Sequence, residues 1–342
     1  MIGPADPPLP SDASDRSRQA RLRMLLFDSE GMDRVVQDEA DLTTLALEEH
    51  RLLWIDLQGD DDALLDRIAV ALGIPAAASA AMRSRETSPS LHNCGGFFWA
   101  RTVAVDDGDG IRFQGSVLTV LAGENLVISL HRNAIPFIDA ITTREAGETA
   151  LGRLTSSSFM ASLLDWQLST YFEAASRFDL AVDRLENAIL ADRDGDSMAE
   201  LRELRAGASR LRRMLAPHRV VFGGMARPDF RPQESGAANR HFVALDERFE
   251  RAMDIVENAR ELVTGSFGLF SSRMSLRTNQ QMQVLTFATV VIGVLAVLAG
   301  VLGMNFDAPF FRSAGTGFWT AVSCMALLTI GSAWLGRRRR WF

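Results

Sequence analysis

Residues 284–302, VLTFATVVIGVLAVLAGVL, are the stretch of this chain that decides its fold. They are almost wholly apolar, and no charged residue lies between Arg277 and Asp307. An uncharged apolar run of this length is typical of a membrane-spanning helix, whereas buried core helices of soluble proteins have shorter runs. The sequence therefore predicts a first membrane span at 282–303.

A second charge-free stretch follows at 313–336. Trp319 lies near one end of it and Trp334 near the other, where aromatic side chains favour the membrane interface. We therefore predict a second span at 315–336 and a short external loop at 304–314 between the two spans.

Basic residues are distributed unevenly around the predicted spans. Arg273 and Arg277 precede the first span and a basic tail at 337–342 follows the second, whereas the loop between them holds only Arg312 and Asp307 as charged residues. Arginine-rich segments stay on the cytoplasmic side of a membrane. The sequence thus predicts a multi-pass protein of the inner (plasma) membrane with both termini in the cytoplasm.

Small or weakly polar residues recur around the first span at three- and four-residue spacing, which places them on one face of the helix. These residues are Asn279, Met282, Thr286, Thr289, Gly293, Ala296 and Gly300. Such a face permits close helix packing in membranes or lines a pore, and periodicity alone leaves the two interpretations equal. One hairpin encloses no internal space, so a pore requires several copies of the chain.

The N-terminal part predicts a mixed α/β domain at 21–150, after a disordered tail at 1–20. Predicted strands lie at 22–27, 52–57, 97–105, 116–121 and 125–130, and the last two form a hairpin around Gly123. Three consecutive acids, at 60–62, open a helix that ends near Leu72. Consecutive helical residues point in different directions, so these acids favour helix capping over a shared metal ion.

Long helices with charged faces follow the α/β domain. The pattern predicts a helical pair at 151–238, with helices at 156–191 and 197–222, and then a stalk helix at 239–281. Apolar residues repeat along the stalk every three or four positions, at Phe242, Leu245, Phe249, Ala252, Val256, Ala259, Val263 and Phe267. No proline separates the stalk from the first span, so the two are expected to form one continuous helix.

Composition excludes several classes of function. The net charge of −7 argues against binding nucleic acid, which requires a basic face. The two cysteines and five histidines show no spacing typical of a zinc site. No Gly-rich phosphate loop, nucleophile elbow or catalytic zinc motif indicates an enzyme or a bound cofactor. A membrane-anchored enzyme or a non-transporting scaffold stays open as an alternative of another class.

Gly303-Met304-Asn305 lies between the two spans and resembles the signature of the CorA family of magnesium and cobalt transporters. The stretch 278–286, TNQQMQVLT, resembles that family's entry to the first span. The resemblance implies an α+β cytosolic domain, long helices, a stalk helix and a two-helix transmembrane hairpin, assembled as a funnel-shaped homopentamer in lipid. It also implies an outer selectivity ring at Asn305, with Asp307 concentrating the divalent cation that is the substrate.

The cytosolic segment 212–222, RRMLAPHRVVF, resembles the ZntB zinc-transporter branch of the same superfamily. Met304 instead follows the magnesium transporters, since the zinc branch commonly carries Val or Ile there. The expected substrate is therefore Mg²⁺, with Co²⁺ and Ni²⁺ as further candidates. The alternative is Zn²⁺ transport of the ZntB type, with proton coupling as an open option. Two departures from the family are the missing proline of the first span and Arg312 in the loop.

The family resemblance also implies regulation by cytosolic metal bound at acidic residues between subunits. The loop after residue 191 partly resembles a calcium-binding EF-hand loop, although Ser197 replaces its glycine and a plain helix–helix turn is the preferred interpretation. The candidate regulatory residues are Asp179, Asp183, Asp192, Asp194, Asp196, Glu203, Asp246 and Glu247.

Overall fold

The computed structural model describes residues 21–31, 33–37, 42, 50–106, 110–142, 154–191, 196–231, 236–304 and 315–338. The chain divides into two compact units. The first comprises Met1–Ala188 and Asp194–Gly265, and the second comprises Ile189–Arg193 and Ser266–Phe342. The predicted tail at 1–20 lies outside the described residues.

The first unit is built on a seven-stranded mixed sheet with the order β2-β1-β3-β7-β6-β5-β4. Only β3 and β7 pair in parallel among the described strands, and the other neighbours are antiparallel. The strands are β1 (Arg21–Asp28), β2 (Arg34–Val36), β3 (Arg51–Gln58), β4 (Ser90–Cys94), β5 (Phe97–Val105), β6 (Gly115–Ala122) and β7 (Leu126–His131). All five predicted strands are present, and the two edge strands β2 and β4 were not predicted.

The predicted hairpin between β6 and β7 is confirmed. The backbone N–H of Gly123 donates to the carbonyl of Leu126 at 2.8 Å and closes the turn. A Cβ at Gly123 would lie 2.6 Å from a ring carbon of Phe97, so a larger residue would clash with the neighbouring strand.

Three short helices flank the strands: α1 (Asp62–Ala71), α2 (Ala76–Arg83) and α3 (Pro136–Thr142). The capping function predicted for the acidic run is confirmed, because the carboxylate of Asp61 accepts the backbone N–H of Leu64 at 2.9 Å. The sequence did not predict α2 or α3.

Both faces of the sheet are covered by helices. On one face, Leu53 and Ile55 of β3 belong to the same core as Leu65 and Ile68 of α1. On the other face, the Trp54 ring contacts Phe159 of the long helix Ser156–Leu190, with 5.3 Å between ring centroids. Alternate residues of β3 therefore serve opposite cores.

The long helices that follow are α4 (Ser156–Leu190) and α5 (Ser197–Leu215), then a 3₁₀ turn (Ala216–His218) and α6 (Arg219–Met225). The prediction of one helix over 197–222 was wrong. Pro217 has no backbone N–H and cannot continue the hydrogen-bond ladder of an α-helix, so the chain tightens into the 3₁₀ turn at this point.

The 3₁₀ turn supplies a hydrogen-bond partner to the part of β5 that extends beyond its neighbour β4. β4 pairs only with residues 97–101 of β5, so the backbone of Val103 has no strand neighbour on that side. His218 Nε2 accepts the Val103 N–H at 2.8 Å, while Gln167 and Tyr171 of α4 donate to the Val103 carbonyl at 2.6 and 2.9 Å. The segment that resembles the zinc branch therefore has a structural role in this chain.

The last two helices are α7 (Gly236–Leu302) and α8 (Gly315–Arg338). The predicted stalk and first span form one unbroken helix, α7, as expected from the absence of proline. The apolar seam is buried from Phe242 to Val263, whereas Phe267, the last predicted member of the seam, is 52% exposed.

Candidate functional site

The candidate site lies on the helices of the second unit. Both α7 and α8 are long and apolar enough to cross a membrane, and the most apolar part of each has no buried residues within the chain. The two helices bracket the Gly-Met-Asn loop. The chain therefore carries the two C-terminal helices that the sequence predicted.

The membrane part of α7 has two distinct faces. One face is half-buried within the chain, at Phe287, Ala288, Val291, Leu295, Leu298 and Leu302. The seven predicted pore-lining residues, from Asn279 to Gly300, are all exposed. The two sets are offset by two residues along the helix, which is about 200° of rotation. The small-residue face therefore points away from the surface that the chain itself shields.

The glycines of the exposed face are not required by packing within one chain. A Cβ placed on Gly293 or Gly300 would meet no atom within 4 Å. Close packing inside the hairpin consequently does not account for these small residues. This face is therefore open to contacts from outside the chain.

The Thr289 hydroxyl gives this face an oxygen that can accept a hydrogen bond from the water around a cation. The Thr289 hydroxyl donates to the Leu285 carbonyl of its own helix at 2.8 Å. Its proton is thereby directed into the helix, and the oxygen lone pairs remain on the exposed side. Hydroxyl oxygens are ligands that suit a hard cation and its water.

The predicted selectivity motif begins where α7 ends. The Gly303 N–H donates to the Ala299 carbonyl at 2.9 Å and the Met304 N–H to Val301 at 3.3 Å, so both residues cap the helix. Met304 is 53% exposed. Asn305, Asp307 and Arg312 lie outside the described residues.

Arginines flank the membrane part of the second unit. Arg337 and Arg338 occupy the last turn of α8, where positive charge is favoured by the helix dipole. The Arg338 guanidinium lies over the Trp334 ring, 5.3 Å from its centroid. Arg273 on α7 donates to the terminal carbonyl of α4 at Leu190 across 3.5 Å.

The candidate regulatory acids form pairs rather than metal clusters. Burial raises the pKa of Asp179, and the carboxylate of Asp183 one turn along α4 raises it further. Burial likewise raises the pKa of Asp246, with Glu250 and Glu247 adding to this effect and Arg219 opposing it. Among the residues that the structure describes, no group of three or more His, Cys, Asp or Glu side chains could hold a metal ion.

The EF-hand-like stretch has other roles where it is described. Asp196 accepts the Ala199 N–H at 3.1 Å and caps α5, and Glu203 forms an ion pair with Arg112 at 3.0 Å. Asp192 and Asp194 lie outside the described residues. Both described carboxylates are therefore engaged within the chain.

Sequence reasoning missed a polar crevice at the carboxyl ends of the parallel strands β3 and β7. It has a volume of about 240 Å³ and is lined by residues 57–62 and 130–133, together with parts of α2 and β6. An ion pair between Asp60 and Arg132 spans the two strand ends. The parallel pairing that creates the crevice joins strands far apart in sequence, so no local pattern could have revealed it.

An α/β unit whose chain continues through one long helix into two C-terminal helices apolar enough to cross a membrane defines a membrane protein with a domain outside the bilayer. The sequence model of the CorA-like Mg²⁺ transporter protein family matches residues 49–338, and the chain belongs to this family. It is therefore a divalent metal-cation transporter and not an enzyme.

Two curated relatives are transporters of the same family. The chain is 22% identical to the cobalt/magnesium transport protein CorA of Methanocaldococcus jannaschii, over 89% of this chain and 95% of that protein. It is 24% identical to CorA of Thermotoga maritima, but that alignment spans 57% of this chain and only 55% of the relative.

Solved structures show the same fold. The complete CorA magnesium transporter of Methanocaldococcus jannaschii aligns with a TM-score of 0.69 at 20% identity, covering 93% of this chain and 98% of that one. The cytoplasmic domain of ZntB from Vibrio parahaemolyticus aligns with a TM-score of 0.52 at 12% identity, over 74% of this chain and 98% of the ZntB domain. The second comparison shows that the fold of the first unit is shared with the zinc branch.

Proposed function

We propose that the chain assembles as a homopentamer in which five copies of α7 surround a pore for divalent cations, with Mg²⁺ as the main substrate. The observation that carries this proposal is the exposed small and polar face of α7, about 200° around the helix from the face that the chain shields. Five such faces around an axis would line a pathway with hydroxyl, amide and thioether groups.

The ion preference rests on the chemistry of the available ligands. Mg²⁺ gives up its water reluctantly, so a ring of Asn305 amide oxygens would contact the hydrated ion. Zn²⁺ prefers imidazole and thiolate, and within the hairpin only Cys324 offers either. Asp307 would raise the cation concentration at the mouth of the pore.

The membrane potential supplies the driving force in this proposal. The arginines at both membrane-proximal ends support an orientation with the termini in the cytoplasm and the Gly-Met-Asn loop outside. An inside-negative potential then favours uptake of a divalent ion by about 4.6 kcal/mol per 100 mV, twice the value for a single charge.

Regulation by cytosolic metal is the remaining part of the proposal. Asp179 and Asp183, one turn apart on α4, supply two neighbouring carboxylates, whereas the consecutive residues Asp246 and Glu247 point in different directions and would each supply one. Each pair would need further ligands from another subunit, because no complete metal cluster exists in the described part of one chain.

Zinc transport is the second candidate, and the similarity to the ZntB domain favours it. The segment 212–222, which resembles the zinc branch, does not add a zinc ligand. Both ring nitrogens of His218 are already engaged, with the Val103 N–H and the Leu215 carbonyl. Competing Mg²⁺ against Zn²⁺ in flux assays, with and without a pH gradient, distinguishes the two candidates.

The pore is tested by replacing Asn305. We expect Asn305→Ala to abolish Mg²⁺ uptake into proteoliposomes, because the ring loses its amide oxygens. Asn305→Gln keeps the amide and should retain part of the flux, although its longer side chain narrows the ring. Unchanged uptake by the Ala variant would refute the pore assignment.

A further inference from the structure

A chain of hydrogen bonds crosses the interior of the sheet between β3 and β7. The Trp54 indole N–H donates to Ser129 Oγ at 3.0 Å, and the Ser129 hydroxyl donates to Asp56 Oδ1 at 2.5 Å. His131 Nε2 lies 3.2 Å from Asp56 Oδ1 and 3.5 Å from Oδ2. Asp56, Ser129 and His131 are each at most 2% exposed.

The partners of this chain fix where its protons lie. An indole N–H only donates, so the Ser129 oxygen accepts from Trp54 and its own proton goes to Asp56. His131 Nδ1 lies 2.6 Å from the carbonyl oxygen of Asn133, which only accepts, so Nδ1 carries a proton. His131 Nε2 faces the Asp56 carboxylate, which already accepts the Ser129 hydroxyl proton. A hydrogen bond between Nε2 and this carboxylate therefore requires a second proton between them.

The Asp56–His131 pair therefore holds one proton more than a carboxylate and a neutral imidazole do. The count is the same if that proton sits on Asp56 instead. Without it, two acceptors would face each other in an interior closed to water, which is unfavourable because no donor would lie between them.

We propose that Asp56, Ser129 and His131 form a buried proton-holding joint between β3 and β7, and that release of the proton at alkaline pH loosens both strand ends. The joint borders the crevice described above. The Gly59 N–H donates to the His131 carbonyl at 2.9 Å and ties the two strand ends together at this point. Loss of the proton thus changes the walls of the crevice.

The surrounding charges agree with this assignment. Burial alone lowers the pKa of His131, but the hydrogen bond and charge of Asp56, the Asn133 carbonyl and the charge of Asp139 on α3 together raise it above its usual value. Asp139 is itself paired with Arg23 of β1. A group with a raised folded pKa stabilises the fold below its unfolded pKa, and this stabilisation disappears as pH rises through the folded pKa.

Hydrogen–deuterium exchange of the full-length protein in detergent tests the joint. Peptides covering 51–62 and 126–135 would be followed from about pH 6 to about pH 10, after correction for the intrinsic exchange rate. We expect their protection to fall by up to about tenfold per pH unit between the unfolded histidine pKa of 6.5 and the folded titration point, because opening releases one proton in that range, and to level off above it. Peptides from 242–256 report any global unfolding and should stay protected.

Three variants decide the result. In Asp56→Asn, the side-chain amide can donate a hydrogen bond to a neutral His131. The exchange protection of the two peptides should therefore not change over this pH range. His92→Gln, at an exposed histidine stacked on Trp99, should behave as the unmodified protein. Ser129→Ala removes a donor from Asp56, strengthens the hold on the proton and should move the loss of protection to higher pH.

Two results would overturn the joint: flat protection in the unmodified protein, or an unchanged pH response in Asp56→Asn. If Asp56→Asn fails to fold, Ser129→Ala decides, and a shift to lower pH or no shift counts against the joint. None of these readouts depends on ion transport.

Discussion

His218 and His131 are both buried, yet their surroundings favour opposite charge states. His218 accepts the Val103 N–H on one ring nitrogen and donates to the Leu215 carbonyl with the other, which requires a neutral ring. His131 has an acceptor at each nitrogen, which requires a charged ring or a shared proton. Burial lowers the pKa of His218 to about 4, while Asp56 raises that of His131.

The neutral state of His218 predicts an acid-sensitive fold. Its folded pKa of about 4 lies below the unfolded value of 6.5, so its contribution is fully present above pH 6.5 and is lost as pH falls toward 4. The loss amounts to about 3 kcal/mol. His218→Asn should be less stable near neutral pH, because Val103 loses its acceptor, but should lack this acid-dependent part.

Thermal unfolding between neutral and acid pH measures this effect. His92→Asn is the matched control, since His92 is exposed and Val103 keeps its acceptor His218 in that variant. An acid response of the same size in His218→Asn would show that another group causes it.

At the scale of elements, α7 changes its surroundings along its length. Up to Val263 its apolar seam is buried in the first unit, and beyond Phe267 all sides of the helix are exposed over 271–286. In the membrane part, one face is half-shielded and the small-residue face remains open. The continuous helix therefore has a packed segment and a segment whose partners must come from outside the chain.

Adding bulk to the open face should block ion flux without disturbing the fold. Gly293→Ile places a side chain where no atom of the chain lies within 4 Å, so thermal stability should be nearly unchanged. Mg²⁺ uptake into proteoliposomes should fall by at least about tenfold if the side chain enters the pore, which corresponds to about 1.4 kcal/mol in the barrier.

Val294→Ile is the matched control for this experiment. Val294 is 48% exposed and lies about 100° around the helix from Gly293, away from the proposed pore axis. Its variant should transport normally. Equal flux in Gly293→Ile and Val294→Ile would place the pathway elsewhere.

At the scale of the molecule, a pore requires association. We expect native mass measurements to give about 188 kDa for the protein part, five times the 37.6 kDa of one chain. Gly293→Ile should keep this mass, which separates assembly from conduction. A monomeric mass in several mild detergents would contradict the pentamer.

The sequence predicted the hairpin helices and five strands because those segments carry strong local signals. An uncharged apolar run identifies a span, and continuous apolar runs identify central strands such as β3. β2 and β4 were not predicted, because short edge strands have no apolar face of their own. Pro217 is a local signal for the helix break, and the prediction of one helix over 197–222 did not take it into account.

The candidate site was predictable to a different extent. The spacing of residues 279–300 defines a common helix face from sequence alone, but their exposure does not follow from it, because the same spacing also suits close helix packing. The Asp56–His131 pairing did not follow, because it depends on the register of two parallel strands separated by most of the α/β domain. Asn305 and Asp307 remain predictions based on the family motif.

The part of β5 around Val103 that has no strand neighbour on the β4 side has a consequence for biosynthesis. Val103 and its acceptor His218 are 115 positions apart in the chain. During translation the strand is complete long before the 3₁₀ turn leaves the ribosome, and until then its backbone groups are available to other strands. Fragments that end before residue 216 should therefore associate through this edge, and a nascent chain would depend on protection there until Pro217 and His218 arrive.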